Sequence, residues 1–245
     1  MSVLAKLRQA FNIIVGARNA LIEKGETVTY DDDIPQIIED MDTGGGADTE
    51  VLKKLIERPS DCEIVIPDTV TSIGNGAFAY FKQLKTITIP DSVETIGTTP
   101  FENCDNLVYA YVNSKEVGHI MFGYPCPKLT TIILGPSVEK IQDRLAAGIS
   151  SLTTVYLPNS ITYIKEPFYN CPNLEFVTIE NGFNSNGLDL STSTKYSAAT
   201  IVSWLNALAD RTGEFAYTLT IGATNLAKLT SDQIAIATNK NWNLA

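Results

Sequence analysis

The side chains best suited to catalysis or metal binding are few in this 245-residue sequence: one histidine, His119, and four cysteines, Cys62, Cys104, Cys126 and Cys171. A Ser-His-Asp or Cys-His centre would need His119 as its base, yet no nucleophile motif stands beside it. It reads as a loop or surface histidine. Cys104, Cys126 and Cys171 recur at a repeat position that also accepts Phe81 and Ile149, so the position is apolar and buried, and the cysteines serve as small hydrophobes. Cys104 and Cys126 fall on adjacent repeats, within reach of a disulfide in principle, and Cys171 lies beyond reach; free thiols are expected. The acidic triplet Asp31 to Asp33 lacks the alternating spacing of a calcium loop and suits a helix start. Gly74-Asn75-Gly76 opens no long helix, so it is no phosphate loop. Acidic residues are scattered through turns without a motif that pairs two of them for glycoside cleavage. The reading is of a protein that is not an enzyme, with no metal and no cofactor.

The composition narrows the partners. The formal net charge of -10 opposes nucleic-acid binding, which requires clustered Lys and Arg. With 44% hydrophobic residues the chain can bury a sizeable core. The N-terminus lacks a long apolar run with a small-residue cleavage site, and no stretch approaches the length of a membrane span, so neither secretion nor membrane insertion is expected.

These residues are positioned by a repeat running from Glu63 to Asn181. Ile64-Val65-Ile66-Pro67 precedes Val70, Ile73-Gly74, Phe78, Phe81 and Leu84; Ile87-Thr88-Ile89-Pro90 starts the series again with Val93, Ile96-Gly97, Phe101, Cys104 and Leu107. The closing leucines are Leu84, Leu107, Leu129, Leu152 and Leu174, so the period alternates between 23 and 22 residues. Each unit holds two short alternating runs and an apolar set spaced for a turn of helix. A unit this small cannot cover its own apolar face, whereas coils stacked about 4.8 Å apart share one core. The prediction is a solenoid of about five to six coils.

Period-2 alternation assigns two inward columns: Ile64, Ile87, Ala110, Ile132, Val155 and Val177, beside Ile66, Ile89, Val112, Leu134, Leu157 and Ile179. The outward columns are Glu63, Thr86, Tyr109, Thr131, Thr154 and Phe176, beside Val65, Thr88, Tyr111, Ile133, Tyr156 and Thr178. Tyr109, Tyr111, Ile133 and Tyr156 cluster there, flanked by the irregular coil that carries His119 and Tyr124, and form the candidate binding surface. Contact with a protein or sugar and simple cross-strand packing both account for such a cluster.

The string from Ile87 to Gly97, followed by Phe101, Cys104 and Leu107, resembles the BspA-type leucine-rich repeat family. That resemblance covers about half the chain, and it implies a non-enzymatic binding scaffold of the kind found on bacterial surfaces and in bacteriophage proteins. The coil from Val108 to Leu129 departs most, having no Ile-Pro.

The flanks supply the remaining elements. Leu4, Leu7, Phe11, Ile14 and Leu21 follow helical spacing, and Ile34, Ile37, Ile38 and Met41 form a second apolar face. Together they predict a helical hairpin over residues 1–43, a module for docking or oligomerisation. Gly44-Gly45-Gly46 lies in a linker at 44–47. A cap helix carrying Val51, Leu52, Leu55 and Ile56 opens the repeat domain at 48–181. Residues 182–245 are expected to form a C-terminal α/β cap: a helix from Ser197 ended by Thr212-Gly213, a strand at Tyr217–Ile221, a helical turn at Ala223–Leu229, a helix capped by Ser231 or Asp232, and a closing strand at Asn241–Leu244.

The fold class is α+β. Short motifs in the hairpin, Ala20 to Gly25 and Ile34 with Ile37, resemble modules that precede such repeats in bacteriophage structural proteins. The function expected is therefore a virion structural protein in a tail, baseplate, fibre or head decoration, with host attachment as a role of its repeat surface. It would be made in the host cytoplasm, join other virion proteins and a homo-oligomer, and contact a host glycan or protein. The alternative is a bacterial cell-surface adhesin.

Overall fold

The repeats wind into a series of stacked coils that place every first alternating run side by side. The structure is a computed structural model and describes residues 62–118, 120–123 and 126–245. The hairpin, the glycine linker and the cap helix expected before Cys62 lie outside the described residues.

One six-stranded sheet runs β1 (Cys62–Val65), β3 (Leu84–Ile89), β5 (Tyr109–Val112), β7 (Thr131–Leu134), β9 (Thr154–Leu157) and β11 (Phe176–Ile179) in spatial order. Strands β3, β5, β7, β9 and β11 pair in parallel, each with the same position one coil on. Ile87, Ala110, Ile132, Val155 and Val177 are buried in register, and the closing leucines are fully buried beneath them. Ile64 differs from its assigned column in being only half-buried, since β1 ends the strand order and has a neighbouring strand on one side.

A second set of two-residue strands forms the other wall: β2 (Ser72–Ile73) pairs with β4 (Thr95–Ile96), and β6 (Glu116–Val117), β8 (Lys140–Ile141) and β10 (Tyr163–Ile164) form a three-stranded sheet. The Ile-Gly pair at this corner has a steric cause. A Cβ at Gly97 would lie 2.5 Å from the Asn75 backbone nitrogen on the preceding coil. The freed space admits Asn75, whose Oδ1 accepts the Thr98 N–H at 2.8 Å.

The apolar set around Phe78 and Phe101 forms hydrogen-bonded turns where the spacing predicts a helical turn. Ala79 and Phe81 donate three residues back, to Gly76 and Phe78. Left-handed residues then break propagation: Tyr80, Asn103 and Asn170 have φ of 65°, 56° and 54°. The phenylalanines still fill the core, stacking from Phe78 to Phe101 at 5.2 Å and from Phe101 to Phe122 at 5.4 Å.

After Asn181 the chain forms β12 (Leu188–Asp189), α1 (Ala198–Ala207), β13 (Tyr217–Thr220), α2 (Ala223–Leu226), α3 (Ser231–Thr238) and β14 (Trp242–Leu244). Strands β12, β13 and β14 make a parallel sheet in that order. Ser197 caps α1, its hydroxyl accepting the Thr200 N–H at 3.0 Å. The helix stops earlier than Thr212-Gly213, because Leu208 turns extended and bridges Phe183. Thr230, not Ser231 or Asp232, caps α3; with Gln233 it forms a reciprocal capping box. Helix α1 packs on β11, and the Trp204 Nε1–H donates to the Val177 carbonyl at 2.7 Å.

Candidate functional site

The strand register brings Tyr111, Ile133 and Tyr156 into one row on β5, β7 and β9, with Thr88 before them and Thr178 after. The neighbouring row is Thr86, Tyr109, Thr131, Thr154 and Phe176. Tyr109, Tyr111, Ile133 and Tyr156 are each half-buried, as expected where side chains on adjacent coils cover one another's flanks. The Tyr156 hydroxyl is pushed above the ordinary phenol range, by burial first and by the Glu180 carboxylate second. The row that begins at Thr86 ends in a largely bare aromatic: Phe176 is 58% exposed.

Tyr111 is held by a feature that leaves a signal in the sequence. Where other coils place Pro67, Pro90 and Pro158 after the strand, β5 is followed by Asn113 and β7 by Gly135. A Cβ at Gly135 would lie 2.6 Å from the Tyr111 hydroxyl and would also overlap the Asn113 carboxamide. The missing side chain is what leaves room for both. Asn113 Oδ1 in turn accepts the Ser137 N–H at 2.8 Å, which fixes the coil-to-coil corner.

His119 and Tyr124, expected beside this cluster, lie outside the described residues, as do Leu4, Leu7, Phe11, Ile14 and Leu21 of the expected docking stripe. Charges gather on other surfaces. Lys115 meets Glu139 at 3.2 Å, Lys140 meets Glu116 at 3.7 Å, Lys165 meets Asp143 at 3.7 Å and Arg144 meets Glu166 at 3.0 Å, each between successive coils. Exposed pairs of this kind contribute little stability each, though they reinforce the stacking register.

The thiols sit in the core. Cys104 and Cys126 are buried and donate their S–H groups to the Phe78 and Phe101 carbonyls one coil back, both at 3.1 Å. They are thus donors as well as small apolar fillers. Burial pushes the Cys126 pKa to about 12, with Asp105 and Glu102 adding to it, and burial carries Cys171 to about 11. Because these folded-state values are raised, the contribution to stability is complete below the unfolded thiol pKa and is lost as pH rises through about 11 and 12. Alkylation at pH 8 followed residue by residue with mass spectrometry should leave Cys104, Cys126 and Cys171 unmodified until denaturant is added. Native labelling at the rate of an unfolded thiol would contradict their burial.

Among the described residues no group of three or more His, Cys, Asp or Glu side chains is placed to hold a metal, and no helix is long and apolar enough to cross a membrane. The face offers contact chemistry: aromatic surface and threonine hydroxyls, with no ionic group in the two rows that run from Thr86 to Phe176 and from Thr88 to Thr178.

The model of the BspA type leucine rich repeat region matches residues 60–164 and 108–190, in six copies. The chain belongs to the BspA-type leucine-rich repeat family. Its fold is similar to that of a leucine-rich repeat protein from T. pallidum, at a TM-score of 0.52 and 17% identity over 76% of this chain and 86% of that one. A leucine rich cell surface protein from Faecalibacterium prausnitzii A2-165 shares 31% identity over 51% of this chain, with a TM-score of 0.43. A leucine-rich repeat protein from Bacteroides ovatus shares 20% identity over 75% of this chain, with a TM-score of 0.47. The chain spans 34% and 42% of the lengths of these last two proteins. No curated protein matches it.

Proposed function

We propose that this BspA-type protein is a non-catalytic recognition scaffold displayed at a bacterial cell surface, binding through the outward face of its six-stranded sheet. The observation that carries the reading is the tyrosine-bearing row Tyr111, Ile133 and Tyr156, set in register on a rigid ladder and clear of the inter-coil ion pairs. Solenoids present side chains at fixed spacing from such a ladder, so ordering costs on binding are small. A cell-surface location is the description borne by the Faecalibacterium prausnitzii relative. The virion placement expected from the sequence rests on the short motifs before residue 43, and it would use the same face.

Location separates the two. Protease shaving of intact producer cells should release peptides from residues 63–245, and purified phage particles from the same culture should lack them. Recovery in the particles, with none released from intact cells, would overturn surface display.

A further inference from the structure

We infer that the face around Tyr111 binds a neutral glycan, an inference that rests on the recognition reading and specifies its ligand. Charge is the first argument. The chain carries 18 Lys and Arg and 28 Asp and Glu, yet none stands in the row Thr86, Tyr109, Thr131, Thr154 and Phe176 or in the row Thr88, Tyr111, Ile133, Tyr156 and Thr178. Lys85, half-buried at the start of β3, is the one charged residue within β3, β5, β7, β9 and β11. A sulfated, phosphorylated or uronic ligand would find no counter-charge there, and an anionic lipid surface would find no basic patch. Glu180 near Tyr156 adds the wrong sign for an anion.

Geometry is the second. Tyr111 is the lateral partner of Ile133, and Gly135 lies two residues further on, just past the end of β7. A tyrosine whose hydroxyl reaches the space over Gly135 must therefore lie along the sheet and lean across the next coil, where it stays half-exposed. Sugars present flat C–H faces to such rings and hydroxyls to their edges. Thr88, Thr131 and Thr178 surround the row with hydroxyl groups of matching character.

Size is the third. Tyr111 and Tyr156 stand two coils apart, about 10 Å, and Tyr109 lies about 7 Å from Tyr111 along the strand. That footprint suits a few sugar units in a row. A stable protein interface covers about 800 Å² on each partner, far more than these side chains supply.

The test uses the full 245-residue chain against an immobilised panel of neutral gluco-, manno- and galacto-oligosaccharides, with sulfated and uronic oligosaccharides alongside. At least one neutral member should be retained. In titrations of that member, Tyr111→Ser should weaken binding about tenfold, the loss of one stacking contact. Gly135→Ala should weaken it comparably, since the new methyl group displaces the Tyr111 hydroxyl. Tyr163→Ser, on the other wall at β10, should leave it unchanged. Should Gly135→Ala prove unstable through its effect on Asn113, Tyr111→Ser alone decides. The inference is overturned by retention of charged members only, by retention of none, or by neutral binding indifferent to Tyr111→Ser. A protein ligand weakened by Tyr111→Ser would overturn the glycan assignment and leave recognition by this face standing.

Discussion

Ile132→Asp should abolish the cooperative thermal transition of the repeat domain, while Ile133→Asp, one residue on, should leave it nearly intact. Ile132 is fully buried between Ala110 and Val155 on the adjacent coils, and Ile133 is half-buried on the opposite face of the same strand. A carboxylate at position 132 has no partner in a layer of aliphatic side chains. Burying it unpaired, or protonating it to avoid that, costs several kcal/mol, a large part of the roughly 5 to 15 kcal/mol that holds a domain folded. At position 133 the carboxylate turns to water and the change should stay within about 1 kcal/mol. Melting followed by circular dichroism distinguishes the two. Equal effects at both positions would refute the register, because a slip of one residue exchanges the faces.

Trp204→Ala should be the most damaging change outside the repeats. The indole is fully buried, lies edge-on to Tyr196 at 4.7 Å and donates its N–H to the Val177 carbonyl of β11. Truncation leaves a large cavity and an unpaired carbonyl, at a cost of about 3 to 5 kcal/mol for the cavity-forming substitution. Loss of α1 from this position would also bare β11, the last strand of the sheet, whose unpaired edge is a template for further strands. The expected result is a lowered melting temperature together with concentration-dependent association in light scattering. Trp204→Phe, which restores most of the volume without the donor, should recover the greater part of the loss. A Trp204→Ala protein that melts as wild type and stays monodisperse at every concentration would show that β11 is protected by something else.

The solenoid was legible because it repeats. One unit of alternating Ile and Val is ambiguous, but units returning every 22 or 23 residues force the same positions into the same layer. That is why Ile87, Ala110, Ile132, Val155 and Val177 were assigned together, and why the outward row Tyr111, Ile133 and Tyr156 followed from the pleat alone. Where the repeat lapses, local signals are weaker. The spacing after Ser197 carries a helix on to Thr212-Gly213, because nothing local marks Leu208, whose extended backbone answers to Phe183 across the fold. Thr230, Ser231 and Asp232 are all good capping types, and only the bond geometry chooses Thr230.

The turn around Phe78 teaches the same lesson from inside a coil. Its apolar spacing fits a helix, and the phenylalanines do face the core, but each coil must return to its starting edge within 22 or 23 residues. Left-handed residues such as Tyr80 and Asn103 provide that return, at a backbone cost that neighbouring coils offset through bonds such as Tyr80 N–H to the Glu102 carbonyl at 2.7 Å.

By itself, then, the sequence determined the period, the inward and outward columns and the family kinship, because these depend on residue type at fixed spacing. The orientation of Tyr111 was decided only by the tertiary structure. A rotamer on one coil was chosen by the absence of a side chain at Gly135 on the next, and by Asn113 bonding across the gap to Ser137. No local rule links residues 111 and 135. They meet because stacking converts one period of sequence into the single interstrand spacing of about 4.8 Å, and packing at that distance selects which way a ring lies.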